Sequence, residues 1–240
     1  AIDTRSLQFE ILEHAAWVFP NSDAERLHIL DRLPGVDPAK FIVVMNGIDP
    51  ATPNDQNSAE AIDGSAGAFV CAGAIGPRKN QLNLVRAFRS LPSERLLIIG
   101  RPSPGSGRYD AALRRAAGRN VLFHDTVSHE RLTGTLQVAK AVVQPSYIET
   151  PGLSAMEALA LGTPVVVANV APVREYFGEL AHYCEAASPP SIAGACRKAA
   201  TAARPDGRQF ALEFQWNRVL EPYRAAYESI AADLSRGGRD

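Results

Sequence analysis

Cysteine is scarce in this sequence, and the few cysteines present follow no recognisable pattern. Three of the 240 residues are cysteine, at Cys71, Cys184 and Cys196. Their number is odd, and none stands in the CxxC spacing of a zinc or redox site. We therefore expect buried free thiols in a protein of a reducing compartment, and not a secreted scaffold held by disulfides.

An excess of one charge sign and long apolar runs are missing as well. The 25 basic and 26 acidic residues leave a net charge of −1, which gives no electrostatic reason to expect nucleic acid as a partner. No apolar run approaches the length of a membrane span, and no basic-then-apolar leader opens the sequence. We expect a soluble cytoplasmic protein, free or at the inner face of the membrane, with at most peripheral membrane contact.

Several common catalytic signatures are also absent. The glycine-rich loop at residues 100–107 lacks the Lys and Ser/Thr of a P-loop, and no GxGxxG occurs. Ser154 lacks the closing glycine of a hydrolase nucleophile elbow. The five histidines are scattered without a partner at ligand spacing, so we predict no metal site. Arg101 and Asp125, which follow predicted strands, are weak candidates for ligand contact.

From residue 68 onward, short apolar runs alternate regularly with segments of helical spacing. Such runs bounded by Gly, Pro or Asn predict buried strands, and apolar residues three or four apart predict helices. The predicted strands are 69–72, 96–99, 121–123, 141–143, 165–167 and one near His182, and the predicted helices include 80–91, 109–117, 130–137, 153–160 and 191–202. This alternation is typical of a parallel sheet covered on both faces, which binds ligands at the carboxyl ends of its strands.

The regions that flank this pattern have a different character. Residues 49–67 are rich in Pro, Asn, Ser and Gly, which predicts a linker or mobile loop and a domain boundary. The elements expected outside the alternating region are helices at 4–13, after Ser22 and at 209–234, and strands at 16–19 and 40–44. The helix at 209–234 is amphipathic along its whole length, so we expect it to be continuous.

The stretch from 141 to 168 carries two carboxylates around a predicted helix start. Glu149 precedes the helix, Glu157 lies inside it, and Gly152 between them suits a close backbone approach. Bare N–H groups and the dipole at a helix start suit phosphate, while a glutamate suits a pair of hydroxyls. The pattern indicates a ligand that carries both groups. The plainer interpretation, a solvated loop acid and an exposed helix acid, stays open on these grounds.

A second cluster follows the first predicted strand of the alternating region. After Gly73, a glycine and a proline precede Arg78 and Lys79, so two cations lie where a strand–helix loop meets a helix start. Arg can bind phosphate bidentately, Lys acts as a point charge, and helix N–H groups add donors. We favour diphosphate binding over a solvated basic helix start, because cations at a helix N-terminus oppose its dipole.

Three motifs together resemble the donor-binding half of a GT-B glycosyltransferase of the retaining family 4. That family includes sucrose synthases and many bacterial mannosyl- and glucosyltransferases. Residues 44–49, VMNGID, resemble its interdomain segment, and residues 76–80, GPRKN, resemble its phosphate loop. Residues 145–165 resemble the block in which two glutamates stand eight positions apart, here Glu149 and Glu157. This last block is the most specific of the three.

The resemblance implies a fold and a role for each motif. The fold is α/β, with a Rossmann-like doubly wound parallel sheet as one GT-B half, a remnant of the N-terminal domain and a long C-terminal helix. Arg78 and Lys79 bind the donor diphosphate and stabilise the departing charge, and Glu149 contacts the transferred sugar, which makes these three the catalytic set. The other implied donor-binding residues are Glu157 at the ribose hydroxyls, Gly152 and Leu153 at the phosphates or sugar, Gly73 and Gly76 in the phosphate loop, and Thr126 and Val127 around the base.

The resemblance also implies a domain division and a reaction. Residues 1–48 end the N-terminal, acceptor-side domain, 49–67 form a linker or mobile loop, 68–208 form the donor-binding domain, and 209–240 form a crossover helix and tail. The implied reaction is metal-independent hexosyl transfer with retention, from a UDP- or GDP-linked sugar, in polysaccharide or glycoconjugate biosynthesis. The donor is the nucleotide-sugar partner, no other cofactor is implied, and the acceptor is a glycan, a lipid-linked sugar or a small molecule.

Length and local departures keep alternatives open. A whole GT-B enzyme has two Rossmann-like domains, so either the chain is a fragment or a second chain supplies the acceptor-binding half. Pro151 replaces a usual aromatic, and Asp125 replaces a usual glycine, which leaves the sugar and base undetermined. A different class of function is a nucleotide-sugar binding module that is inactive without a partner domain. A GT-B-like epimerase fits less well, because its close relatives lack the block around Glu149.

Overall fold

The computed structural model describes residues 4–49 and 60–237 of the chain. It divides into two compact units. The terminal unit comprises the residues up to Gly47 together with those from Glu213 onward, and the sheet unit comprises Ile48–Leu212. Most of the predicted linker at 49–67 falls on residues 50–59, which lie outside the described residues, as does the end of the predicted tail at 238–240.

The sheet unit is built on a parallel sheet with the strand order β3-β2-β1-β4-β5-β6. The strands are β1 (Phe69–Ala72), β2 (Leu96–Ile99), β3 (Val121–His124), β4 (Ala141–Gln144), β5 (Val165–Ala168) and β6 (His182–Cys184). Every residue of β1, β2, β4 and β5 is buried, because helices cover both faces of the sheet. The predicted α/β fold class and the six strands predicted for the sheet unit are confirmed.

Helices alternate with these strands and also form most of the terminal unit. In chain order they are α1 (Thr4–His14), α2 (Asp23–Arg32), α3 (Gln81–Phe88), α4 (Gly107–Ala116), α5 (His129–Val138), α6 (Leu153–Ala160), α7 (Ala171–Phe177), α8 (Pro189–Thr201), α9 (Gly207–Glu213), α10 (Trp216–Val219) and α11 (Glu221–Gly237). None of the helices within the described ranges combines the length and apolar character that crossing a bilayer requires.

The core of the sheet unit includes the three thiols. Phe69 of β1 and Phe88 of α3 meet edge to face, with ring centroids 5.4 Å apart, inside a cluster that also contains the buried Cys71, Cys184 and Cys196. The expectation of buried free thiols is confirmed. Burial raises the pKa of the Cys71 thiol to about 12, so the thiolate needed for redox or nucleophilic chemistry is not populated near neutral pH.

The strand order creates a natural site for a ligand. From β1 the chain winds outward through β2 to the edge strand β3, then returns to β4 on the other side of β1 and winds outward again. The loops that follow β1 and β4 therefore leave the sheet in opposite directions and open a crevice between them. Ligands of doubly wound sheets bind at such switch points, outside the carboxyl ends of the strands.

Two predicted strands of the terminal unit are absent from the structure. The segments at 16–19 and 40–44 run side by side but share only the isolated parallel bridge Val18–Phe41. Val18 donates to the Lys40 carbonyl at 2.8 Å, and Ile42 donates to the Val18 carbonyl at 3.0 Å. The next donor in the ladder would be the amide of residue 20, which is a proline and has no N–H. The prediction of strands there was wrong for this reason.

The prediction of one continuous helix over 209–234 was also wrong. The chain forms α9, α10 and α11 in its place, separated at 214–215 and at Leu220. Pro222 stands in the first turn of α11, where its missing N–H is tolerated, but its ring would collide with the carbonyl four residues earlier if α10 continued. Amphipathic spacing extends across both breaks, which is why the sequence pattern does not show them.

Candidate functional site

A cavity of about 380 Å³ lies outside the carboxyl ends of β1 and β4, at the switch point of the sheet. Its wall includes six of the residues predicted to form the site: Gly73, Lys79, Glu149, Gly152, Leu153 and Glu157. Side chains from positions as far apart in the sequence as 72 and 157 thus line the same cavity. The remaining predicted residues, Gly76, Arg78, Thr126 and Val127, are not among the described residues that line this cavity.

The loop after β1 lies against the loop after β2. Gly73 has φ +140° and Gly100 has φ +144°, and a Cβ on Gly100 would overlap the Gly73 carbonyl. The Lys79 side chain passes over Gly73, since a Cβ on Gly73 would lie 3.7 Å from Lys79 Cε. Gly76 lies beneath the loop, and its N–H donates to Gln81 Oε1 at 3.3 Å. Glycine at 73 and 100 therefore permits the close approach that brings Lys79 to the cavity.

Asn80 joins the cationic turn to two other strand ends. It follows the short 3-10 turn Pro77–Lys79 and adopts a left-handed conformation, with φ 60°. Its buried side-chain amide donates to the Pro145 carbonyl at 2.8 Å and to the Ala186 carbonyl at 2.7 Å, beyond β4 and β6. Sequence analysis did not single out Asn80. An asparagine where a chain enters a helix, directly after two cations, is the signal that was available.

The loops after β1 and β4 are bonded to each other along their length. The Tyr147 amide donates to the Arg78 carbonyl at 2.9 Å, and Arg78 Nη1 donates to the Ile148 carbonyl at 3.1 Å. With the Asn80 bond, these contacts hold the two loops as one layer. The Arg78 side chain is half exposed on the outside of this layer.

A carboxylate and a lysine meet where this layer faces the cavity. Lys79 Nζ lies 2.6 Å from Glu149 Oε2, and Arg78 Nη1 lies 3.7 Å from Glu149 Oε1. The buried Ser146 hydroxyl donates to Glu149 Oε2 at 2.8 Å. Glu149 is itself buried, so it is not the solvated loop acid of the plainer interpretation. Ser146 is a second residue whose contact the sequence did not reveal.

The start of α6 forms another part of the cavity wall. Gly152 precedes it with φ +94°, and no described side chain caps the first-turn N–H groups. The Gln144 amide nitrogen donates to Ser154 Oγ and, at 3.3 Å, to the Ala72 carbonyl, which ties α6 to the end of β1. A Cβ on Gly152 would overlap Gln144 Oε1. The first turn therefore presents donors suited to an anion.

Glu157 faces the same cavity from inside α6. Burial raises the pKa of its carboxyl, and the nearby Asp49 carboxylate raises it further, while His129 at the start of α5 lowers it. Like Glu149, it is not an exposed helix acid. A partly desolvated carboxylate in a cavity gains most from ligand donors such as hydroxyls, because these replace lost water.

A second ion pair lies at the ends of β2 and β3. Arg101 binds Asp125 bidentately, with Nε to Oδ1 at 2.5 Å and Nη2 to Oδ2 at 2.8 Å, and the Thr126 amide donates to Asp125 Oδ1 at 2.8 Å. The hydrogen bond from Arg101, and then that from Thr126, lower the pKa of Asp125 to about 2. Thr126 and Val127 follow in the loop before α5, where Thr126 is exposed and Val127 half-buried.

Metal-binding side chains do not cluster in the part of the chain that the structure describes. Over residues 4–49 and 60–237, no cluster of three or more His, Cys, Asp or Glu side chains is arranged to hold a metal ion. The polar groups of the cavity wall are one lysine, two carboxylates, the N–H groups of a helix start, and the side chains of His129, Gln144, Thr150 and Ser154.

Comparison with protein families identifies the relationship that these features suggest. The family model described as glycosyl transferases group 1 matches residues 54–201, more than half of the 240 residues. This chain belongs to the glycosyl transferases group 1 family. The matched region includes β1 to β6 and the whole cavity wall. The family resemblance stated from the sequence motifs is confirmed.

Curated relatives and solved structures agree with this membership. The D-inositol 3-phosphate glycosyltransferases of Mycobacterium tuberculosis and Mycobacterium bovis are 36% identical over 174 residues, which span 67% of this chain and 35% of those proteins. The chain thus spans about a third of the length of the curated relatives it matches.

Two solved structures show the fold. HepE from Anabaena, in complex with UDP and glucose, aligns with a TM-score of 0.78 at 20% identity, over 95% of this chain and 66% of that chain. A sucrose-phosphate synthase from Thermosynechococcus elongatus aligns with a TM-score of 0.77 at 24% identity, over 95% and 62%. The sheet unit is the Rossmann-like half of a GT-B glycosyltransferase, as predicted.

Proposed function

We propose that this chain is the donor-binding part of a retaining glycosyltransferase that moves a hexosyl group from a nucleotide-sugar to an acceptor without a metal. One observation carries the proposal: a lysine, two carboxylates and an uncapped helix start converge on one cavity at the switch point of the sheet. Phosphate and hydroxyl groups are the two ligand chemistries that such a set recognises, and a nucleotide-sugar carries both.

The cations and the start of α6 take the diphosphate in this proposal. Lys79 lines the cavity and Arg78 lies beside it, 3.7 Å from the same carboxylate. Uncapped N–H groups at Leu153 and the positive end of the helix dipole add to the attraction for phosphate. As the bond between the sugar and the phosphate breaks, these groups stabilise the negative charge that develops on the leaving diphosphate.

The two carboxylates take the hydroxyls. Glu157, partly desolvated inside α6, binds the ribose hydroxyls, and Glu149 contacts the transferred sugar. The loop with Thr126 and Val127 frames the base, and Gly73 and Gly76 shape the phosphate loop. A complex of the structural relative HepE holds UDP-glucose, which supports a UDP-linked donor for this chain, with a GDP-linked donor as the alternative.

A second candidate function follows from the length of the chain. Because it spans about a third of its curated relatives, the acceptor-binding half is supplied by a longer protein or by a second chain. The chain alone is then a nucleotide-sugar binding module without turnover. Acceptors for the complete enzyme are a glycan, a lipid-linked sugar or a small molecule, in polysaccharide or glycoconjugate biosynthesis in the cytoplasm or at the inner face of its membrane.

Calorimetric titration of the 240-residue chain with UDP, GDP and ADP, in buffer containing EDTA, tests the proposal. We expect saturable 1:1 binding of UDP or GDP that EDTA does not abolish, because the cations are protein side chains. Binding that needs added Mg²⁺ would contradict the metal-free part of the proposal, and no binding of any of the three would contradict the donor site as a whole.

Transfer assays separate the two candidate functions. With UDP-glucose and GDP-mannose as donors, slow donor hydrolysis by the chain alone would show that the catalytic groups are assembled. Binding without hydrolysis or transfer, even at high protein concentration, favours the module that needs a partner domain.

A further inference from the structure

Lys79, which the proposed diphosphate ligand needs as a cation, is already paired with a carboxylate of the protein, Glu149. The Lys79 side chain is 19% exposed and the Glu149 side chain 8%, so water screens their attraction only weakly. Arg78, 56% exposed, faces the other oxygen of the same carboxylate. Glu149 therefore pairs with both cations that a diphosphate would use, and its single negative charge offsets one of their two positive charges.

A diphosphate entering the cavity must compete with Glu149 for Lys79. When Lys79 turns to the phosphate, Glu149 keeps the Ser146 hydroxyl but loses its closest cation. A buried carboxylate without its partner is costly, and a second anion beside it adds repulsion. The cost is removed only if new donors reach the carboxylate.

An intact nucleotide-sugar brings such donors, and the spent nucleoside diphosphate does not. The hydroxyls of the transferred sugar can donate to the carboxylate oxygens that Lys79 releases, whereas phosphate oxygens only accept hydrogen bonds. When Lys79 leaves Glu149 for the phosphate, the carboxylate gains new hydrogen-bond donors if the intact nucleotide-sugar is bound. It gains none if the nucleoside diphosphate product is bound.

We infer that Glu149 is a specificity-determining residue that makes the site prefer the intact nucleotide-sugar over the free nucleoside diphosphate, by competing with phosphate for Lys79. The inference rests on the proposed donor site. It assigns Glu149 a role in product release in addition to its contact with the sugar: once the sugar has left, the carboxylate takes Lys79 back and displaces the diphosphate.

Calorimetric titration of wild type, Glu149→Gln and Glu149→Ala with pyrophosphate, UDP and UDP-glucose tests this role. Both variants remove the competing charge, so we expect pyrophosphate and UDP to bind about fivefold more tightly than to wild type. UDP-glucose should bind no more tightly, because the variants lose the acceptor for its hydroxyls along with the competitor. The ratio of the UDP and UDP-glucose affinities is the decisive quantity, since a general loss of fold lowers both affinities together.

Glu179→Gln is the matched control. It removes one negative charge from the turn Gly178–Leu180. This turn precedes the amino end of the edge strand β6, whereas the cavity lies outside the carboxyl ends of β1 and β4. If it tightened UDP binding as much as Glu149→Gln, the effect would be one of net charge, and the inference would be wrong.

The remaining outcomes separate this inference from the proposed function. If wild type binds UDP and the Glu149 variants bind it equally or less tightly, the competition is absent while the donor site stands. If no form of the protein binds pyrophosphate, UDP or UDP-glucose, the donor site itself is wrong and the inference falls with it.

Discussion

Two ion pairs lie beyond the carboxyl ends of the strands and differ mainly in their burial. Lys79–Glu149 lies at the ends of β1 and β4, with side chains 19% and 8% exposed. Arg101–Asp125 lies at the ends of β2 and β3, with side chains 70% and 54% exposed. By hydrogen-bond geometry alone the second pair is the better one, because it is bidentate and the first is not.

The surroundings reverse that order. The Ser146 hydroxyl donates a hydrogen bond to Glu149. The loop that contains both residues is bonded, through Asn80, to the loop that carries Lys79. The Asp125 carboxylate accepts, besides the bonds from Arg101, a hydrogen bond from the amide of the adjacent Thr126. Exposed pairs contribute little because water screens them and their side chains must be ordered, whereas breaking a buried pair leaves an uncompensated charge. The two pairs therefore differ more in burial than in the quality of their hydrogen-bond geometry.

The largest effect should come from removing the lysine of the buried pair. We expect Lys79→Ala to weaken UDP or GDP binding about tenfold to a hundredfold, since a charge-assisted bond to phosphate is lost. We also expect it to lower the free energy of unfolding by about 2 kcal/mol, because Glu149 is left buried without its closest cation. Calorimetry and urea denaturation measure the two effects.

Arg101→Ala is the matched change in the exposed pair. It should leave nucleoside diphosphate affinity and stability close to wild type. If it weakened binding as much as Lys79→Ala, Arg101 would be a ligand contact, and the contrast between the two pairs would not hold.

A smaller effect is expected at the second buried carboxylate. Glu157→Gln keeps the size of the side chain and should weaken UDP binding by about 1–3 kcal/mol, because the ribose hydroxyls lose a charged acceptor. The loss should be smaller with the deoxyribose nucleotide. Equal losses with UDP and dUDP in calorimetry would remove the assignment of Glu157 to the ribose.

The smallest effect concerns the pH dependence of the exposed pair. Because the pKa of Asp125 is lowered to about 2, its pairing favours folding above the ordinary aspartate pKa, and this contribution is lost as the pH falls towards 2. Asp125→Asn, which keeps an acceptor for the Thr126 amide, should therefore be slightly less stable than wild type at pH 7, and the gap should narrow at pH 3, because it closes only as the pH approaches the folded pKa of about 2.

Thermal unfolding of both proteins at pH 7 and pH 3 measures the gap. A loss at pH 7 as large as that of Lys79→Ala would show that bidentate geometry, and not burial, decides what such a pair contributes.

The site residues differ in how visible they are in the sequence. Glu149, Glu157 and Lys79 could be found because their spacing around a helix start and a glycine-rich loop has a chemical meaning within a few residues of the chain. Asn80, Ser146 and Gln144 were not found. The contacts of Asn80 and Gln144 join positions such as 80 and 186, or 144 and 72, which no local pattern connects. Ser146 binds Glu149 only three residues away, in a loop contact that has no periodic signature in the sequence.

The terminal unit shows the same limit for secondary structure. The segments around Val18 and Phe41 have the apolar character of strands, but the missing N–H at Pro20 interrupts the ladder. Only a single bridge forms, although the Val44 amide still donates to the Pro20 carbonyl at 2.9 Å. The amphipathic pattern of 209–234 continues through Pro222, although one α-helix cannot, because the proline ring would collide with the carbonyl four residues earlier.

By itself the sequence determined the strands and most of the helices of the sheet unit, because fully buried strands and covering helices require apolar runs and helical spacing that are local properties of the chain. It also determined which residue types line the cavity at the switch point. The tertiary structure alone decided that Lys79 meets Glu149, that Asn80 bonds the two loops to each other, and that the Arg101–Asp125 pair is exposed to water. Those contacts depend on which strands become neighbours and how deeply their ends are covered, and both follow from long-range packing.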